Sequence, residues 1–427
     1  MTAAPKAVTG TDRWFDLLSL GTFVAVGLPD GMLGTAWPAM RHSFGAPVGD
    51  LGLILLVNSL GSVAVSAVVG RLINRLGVIA LLAVAGLCAA VGAVGFAVAP
   101  GLWLVLSIGP LTGAASGMLD GGLNTAVALT GRPRLLNLLH GFYGIGTALG
   151  PLVVTAAILA GSWRPAYLVL VAVDLAAAGS WIVYHRKLSS ALPALPASPD
   201  NDAATGVSDE ATSSPHAPAI REPNADWSRR KVVLVLTAGL VVFFVYTGLE
   251  VGAGQWETSY LRGHLGLSAS AAGLAAFGYW GALCVVRIGL SLPTKSVPAQ
   301  RLISGGVSVS VAATALIWWQ PNTVASIAGF VLLGAALAGM FPALIAVTPK
   351  RIGKQRAQHA IAWQVGAAAG GGSAISALIG LLINTSGLNV LGPALVVLAL
   401  LLLAASTALA RLAPIPTEGV GRGSARR

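Results

Sequence analysis

An all-α membrane protein, with twelve transmembrane helices in two pseudo-symmetric six-helix halves, is the architecture this sequence predicts. Three observations carry the expectation. Of the 427 residues, 55% are hydrophobic and only 10% charged, against roughly 25% charged in ordinary soluble domains, so the chain has too little polar surface to face water all round. Apolar runs near the roughly 20 residues that a bilayer-crossing helix needs recur along its length. A single polar stretch divides those runs six and six.

The first run, 14–40, is too long for the core of a cleaved leader and is expected to remain as a span. Runs at 48–70 and 77–99 follow, joined by the basic turn "GRLINRLG". Those at 101–128, 135–161 and 163–184 complete the first half, residues 1–184. Residues 185–230 include "SSALPALPASPDNDAATGVSDEATSSPHAPAIREPNAD", whose Pro, Ser and acidic content predicts a solvated, flexible linker. The second half, 231–411, offers runs at 231–258, 269–292, 299–320, 322–346, 356–384 and 388–411. A basic tail, 412–427, closes the chain. The 54 glycines suit helices packed closely in lipid. Cys88 and Cys284 both fall inside apolar runs, so no structural disulfide is expected.

Charge sets the orientation. With the N-terminus inside and the spans alternating, all but Arg41, Arg164 and Arg262 of the 26 basic residues fall on the inner side. The positive-inside rule then places both termini and the linker in the cytoplasm, with the protein in the cell (plasma or inner) membrane. The net charge of +11 reads as topology, with the lipid bilayer and not nucleic acid as partner, and a monomer is expected.

The halves echo one another. "GLPDGMLGTAW" (Gly27–Trp37) and "GLEVGAGQW" (Gly248–Trp256) both run Gly-Leu, an acid, small residues and Trp. The fifth and eleventh spans place His140 and Gln364 similarly. Two six-helix halves joined by a cytoplasmic linker suggest a secondary transporter with its site between them.

Ionisable groups within the spans locate that site, since each costs about 2.5–3.5 kcal/mol at mid-membrane on the insertion scale. Gly27, Asp30, Gly34 and Trp37 fall at helical spacing on one face, and Pro29 and Gly31 are expected to bend the helix toward a cavity. Asp120 has Asn124 one turn on and Ser116 one turn back, a carboxylate and an amide presented to a polar solute. The plainer reading of either acid is an interhelical hydrogen bond. Asn137, His140 and Tyr143 drift across one broad face of the fifth span. Glu250 follows Tyr246 by one turn, and Gln255 and Trp256 add a donor and a ring of the kind that sugars favour. Trp363 and Gln364 are expected as a further wall. Aromatic rings near span ends are equally ordinary interface anchors. Asp174 has no polar companion in its own span, and a structural partner is expected for it.

The inner side carries candidate gating residues. Gly70, Arg71, Asn74, Arg75 and Gly77 form a tight turn whose arginines suit helix C-terminal ends. Arg287, at the inner end of the eighth run, reads as a gate or a snorkelling anchor. Asp30, Asp120 and Glu250 are the candidate proton-coupling acids.

"GRLINRLG" resembles the Gly-x-Leu-x-Asp-Arg-x-Gly loop signature of the major facilitator superfamily, matching it at Gly70, Leu72, Arg75 and Gly77. Asn74 replaces the family's Asp, and with it the charge pair that Asp makes. Twelve spans, a six-plus-six split and a long linker resemble the same superfamily across the whole chain. Asp30, and Asp120 with Asn124, resemble the acids of the fucose–proton symporter branch. "LNLLHGFY" resembles that branch's fifth helix at Leu136, Asn137 and Phe142, with His140 and Tyr143 where the branch has Gln and Asn. "GTALGP" (Gly146–Pro151) resembles a signature of drug–proton antiporters, and is also simple close packing.

The function expected is proton-coupled symport of a small neutral polar solute, such as a sugar, by alternating access; the alternative is an antiporter exporting drug-like or amphipathic compounds. No His-Glu-x-x-His, paired cysteines or Gly-x-Ser-x-Gly occurs in the sequence. An enzyme, a cofactor and a metal are therefore not expected.

Overall fold

The structure, a computed structural model, describes residues 10–129, 132–183, 185, 227–291 and 297–414. The expected linker and tail thus lie almost wholly outside the described residues. Twelve apolar helical stretches are long enough to cross a membrane, each where the hydropathy places it, and the described residues contain no strand. The first half holds α1 (Gly10–Phe44), α2 (Leu51–Ser66), α3 (Val69–Leu76), α4 (Val78–Val98), α5 (Leu102–Leu129), α6 (Pro133–Leu159) and α7 (Arg164–Val183). The second holds α8 (Arg229–Gly263), α9 (Ala269–Ser291), α10 (Ala299–Trp319), α11 (Thr323–Leu337), α12 (Met340–Ile352), α13 (Lys354–Ser386) and α14 (Leu391–Leu412).

Two elements depart from the expected runs. The turn between the second and third spans is the short helix α3, and it ends at Gly77 with φ 77°, a conformation that only glycine adopts without strain. Arg71, Asn74 and Arg75 are exposed on α3, which packs against α2, α4 and α5 of its own half. The tenth span, expected as one helix, breaks into α11 and α12 around Gly339. Pro342 explains the break: it has no N–H to give the carbonyl four residues back, at Ala338.

Close packing sets the register of α1 against α6. A side-chain carbon added at Gly27 or Gly31 would fall on the backbone of Tyr143 or Thr147, and one at Gly146 or Gly150 on the backbone of Val24 to Met32. Each helix thus presents a Gly-x-x-x-Gly pair to the other, which lets the backbones touch. The "GTALGP" stretch is this seam. Gly146→Leu is expected to cost at least about 1–3 kcal/mol through overpacking, read as a lower melting temperature in detergent, and a melting curve superimposable on the native one would contradict the seam's role.

The halves meet mainly toward the face that carries the α1–α2 and α8–α9 turns. There Gly49 N donates to Asn384 Oδ1 at 2.7 Å and Thr258 Oγ1 to Thr35 Oγ1 at 3.5 Å. Toward the opposite face, the space beside Gly21 on α1 and Gly366 on α13 is open.

Candidate functional site

A cavity of about 370 Å³ lies among the helices, walled by α1, α2, α4, α5, α6 and α7 of the first half and by α8 and α13 of the second. Its polar groups are Asp30, Asn58, Ser59, Ser62, Thr112, Ser116, Tyr143, Tyr167, Asp174, Thr247 and Ser373, and apolar side chains such as Leu33, Leu55, Phe96 and Leu119 fill the rest. No lysine, arginine or histidine is among the described lining residues.

Asp30 keeps accessible surface although it sits mid-helix, because it faces this cavity. The α1–α6 seam brings Tyr143 opposite it, and the Tyr143 hydroxyl donates to Asp30 Oδ2 at 2.5 Å. The backbone there is held from the other half, as Gln255 Nε2 donates to the Asp30 carbonyl at 2.7 Å. Asp120 is also accessible; Asn124 Nδ2 donates to its Oδ1 at 2.9 Å. It lies near enough to Asp30 for their charges to repel.

Glu250 has a different setting. Arg287 Nη2 lies 3.1 Å from its Oε2 and 3.2 Å from its Oε1, and the Tyr246 hydroxyl donates to the same carboxylate. The broken tenth span completes the cluster: Arg287 Nε donates to the Ala338 carbonyl at 3.2 Å, and the Tyr246 hydroxyl oxygen lies 3.3 Å from the carbonyl of Leu337. The Ala338 carbonyl, freed by the break before Pro342, is thereby satisfied, as a low-dielectric interior demands. Tyr279 donates to the Glu250 carbonyl at 2.7 Å. Arg287, expected as an inner gate or snorkelling anchor, turns its guanidinium inward and pairs with Glu250.

Other expected site residues lie elsewhere. Trp37 and Trp256 are fully buried, with indole N–H groups on the carbonyls of Val48 and Ser376, so both serve packing. Trp363 is 71% exposed and is not among the residues lining the cavity; an apolar ring on the outside of α13 fits lipid contact. Gln364 accepts from Thr348 Oγ1 at 3.0 Å, near the end of α12. His140 is accessible and sits edge-on to Phe23 at 5.8 Å. The side chain of Asn137 lies outside the described residues. Asn58 and Thr112, 3.4 Å apart across α2 and α5, were not expected on the wall; a lone amide inside an apolar run is the signal that marks Asn58. Asp174 lines the cavity too. Glu257 is fully buried with neither carboxylate oxygen hydrogen-bonded, and is not among the cavity's lining residues.

The family model of the Major Facilitator Superfamily matches residues 18–377. No curated protein matches the sequence. Among solved structures, the chain is similar to a variant of the nucleoside transporter NupG, with a TM-score of 0.65 and 14% identity over 93% of this chain and 99% of that one. It is similar to the E. coli fucose:proton symporter FucP (TM-score 0.59, 16% identity, 93% of this chain and 97% of that one). A peptide transporter, POT, solved with alafosfalin, gives a TM-score of 0.65 at 14% identity, covering 94% and 96%. At these identities the likeness is one of fold.

Proposed function

The chain belongs to the Major Facilitator Superfamily, and on that premise we propose that it is a proton-coupled symporter of a small neutral polar solute such as a sugar. It would work by alternating access in the cell membrane with both termini in the cytoplasm. The observation that carries the reading is the state of the two acids at the centre. Asp30 faces the cavity with a neutral phenol as its side-chain partner, whereas Glu250 is paired with Arg287. A carboxyl free of any cation can take up and give back a proton without breaking an ion pair, whereas the Glu250 carboxylate is engaged by a guanidinium. Asp30, with Asp120 beside it, is therefore the coupling carboxyl, and Glu250 with Arg287 and Tyr246 forms a charged latch in the second half.

The wall supports a neutral solute. Amide, hydroxyl and carboxyl groups offer both donors and acceptors to hydroxyls, and the absence of a lining cation among the described residues disfavours an anion. Fucose:proton symport by a neighbour of the same fold is in keeping with this. The apolar side chains on the same wall favour a second reading, proton-coupled export of amphipathic compounds.

A thermal-shift screen of sugars, polyols and common amphipathic drugs tests the first reading against the second. A ligand at 100 times its Kd adds about 2.7 kcal/mol to the folded state. Stabilisation by sugars or polyols is the result expected, and stabilisation by the amphipathic compounds alone would overturn the sugar reading.

A further inference from the structure

The cavity does not stop at the boundary between the halves. It enters the first half between α1, α4, α5 and α7, past Val26, Ala93, Phe96 and Leu170, and reaches Asp174 in the middle of α7. Asp174 is only 4% exposed, yet it is one of the lining residues. Asp30 is coordinated by Tyr143, Asp120 by Asn124 and Glu250 by Arg287. Asp174 has no hydrogen-bond or ion-pair partner among the described residues, so the structural partner expected for it does not appear there.

A nine-tenths-buried carboxyl without a partner is costly to keep charged, and its opening onto the cavity gives it a route to exchange. The groups that share its surroundings leave it no counter-charge. Asp30 on α1, Tyr143 on α6 and Tyr167 on α7 are the other ionisable lining groups. Asp120 on α5 and Cys88 on α4 each stand one residue from a lining position. None of these is cationic. An ionised Asp174 therefore has the proton as its available cation.

We propose that Asp174 is a second proton-binding carboxyl of the transport cycle, so that two protons move with each solute molecule. The proposal rests on the proton-coupled reading above. When the cavity faces the side of higher proton activity, a hydronium ion in the cavity water breaks one of its O–H bonds, leaves a neutral water, and an O–H bond forms on a carboxylate oxygen of Asp174. When it faces the other side, that bond breaks and the proton returns to water there. With one proton, a pH difference of one unit supports about tenfold accumulation of a neutral solute; with two, about a hundredfold.

Infrared difference spectroscopy of the full chain in lipid nanodiscs tests this with protons and deuterons as the only probes. Spectra are compared between mildly acidic and mildly alkaline pH in the protonated-carboxyl C=O stretch region. The expected result is a titrating, deuterium-sensitive band that Asp174→Asn removes, that Asp174→Glu shifts, and that Asp30→Asn leaves in place. A pH-difference spectrum of Asp174→Asn that superimposes on that of the native protein would overturn the proposal. Should Asp174→Asn fail to fold, Asp174→Glu decides: an unshifted band has the same force. The coupling role of Asp30 fails separately, if Asp30→Asn transports unchanged.

Discussion

Asp30→Asn is expected to leave solute exchange across a proteoliposome membrane intact and to lower accumulation driven by a pH gradient about tenfold per unit of pH difference. The asparagine is nearly isosteric, its carbonyl oxygen can still accept from Tyr143, and the backbone bond from Gln255 to the residue 30 carbonyl does not involve the side chain. Binding geometry and rocking of the halves should thus persist. What is lost is the group that takes up and releases a proton. Each proton lost from the cycle removes about a tenfold accumulation per unit of pH difference. Asp174 still carries its proton in this variant, so a site that still binds and moves its solute keeps the smaller accumulation that one proton supports. Full pH-driven accumulation by Asp30→Asn would remove Asp30 from the coupling role.

Arg287→Ala is expected to destabilise the protein by about 3–5 kcal/mol, the usual result of removing one partner from a buried ion pair. Three groups lose their satisfaction together: the Glu250 carboxylate, the Tyr246 hydroxyl and the Ala338 carbonyl. Arg287→Met combined with Glu250→Gln removes both charges and keeps the volume, so its melting temperature should recover most of the loss. That double variant separates the latch from its energetics, because stability returns while the charge pair does not. If the double variant melts as low as the single one, the pair is not the source of the effect.

The twelve spans were legible in the sequence because lipid leaves the chain few choices: every backbone polar group must be satisfied within a helix, and long apolar runs show where. The break of the tenth span was less visible, since the stretch around Gly339 and Pro342 is as apolar as the rest of it. Asp30, Asp120, Tyr143 and Tyr246 were identified because intramembrane polar groups stand out and helical spacing groups them. Pairing across helices was not legible: Glu250 and Arg287 are 37 residues apart, and nothing local to either names the other. The surroundings of Trp37, Trp256 and Trp363 were not legible in the sequence for one reason. An aromatic ring on an acid's helix has the same local sequence whether it faces a solute, a neighbouring helix or lipid. Asp174 was left without an account because its own span has no polar residue to pair with. Apart from Tyr167, two turns before it, the polar groups that share its cavity come from α1, α2, α5, α6, α8 and α13, elements that only the fold brings together.

Adding the solute identified by thermal shift to de-energised proteoliposomes, and recording the pH outside them, tests the central claim most directly. Symport draws protons inward with the solute whichever way the protein is inserted, so the outside should turn alkaline on addition, and Asp30→Asn should give a smaller shift. Acidification on addition would show exchange of solute against protons and favour the antiport reading. An alkaline shift of equal size in Asp30→Asn would contradict the account of the site.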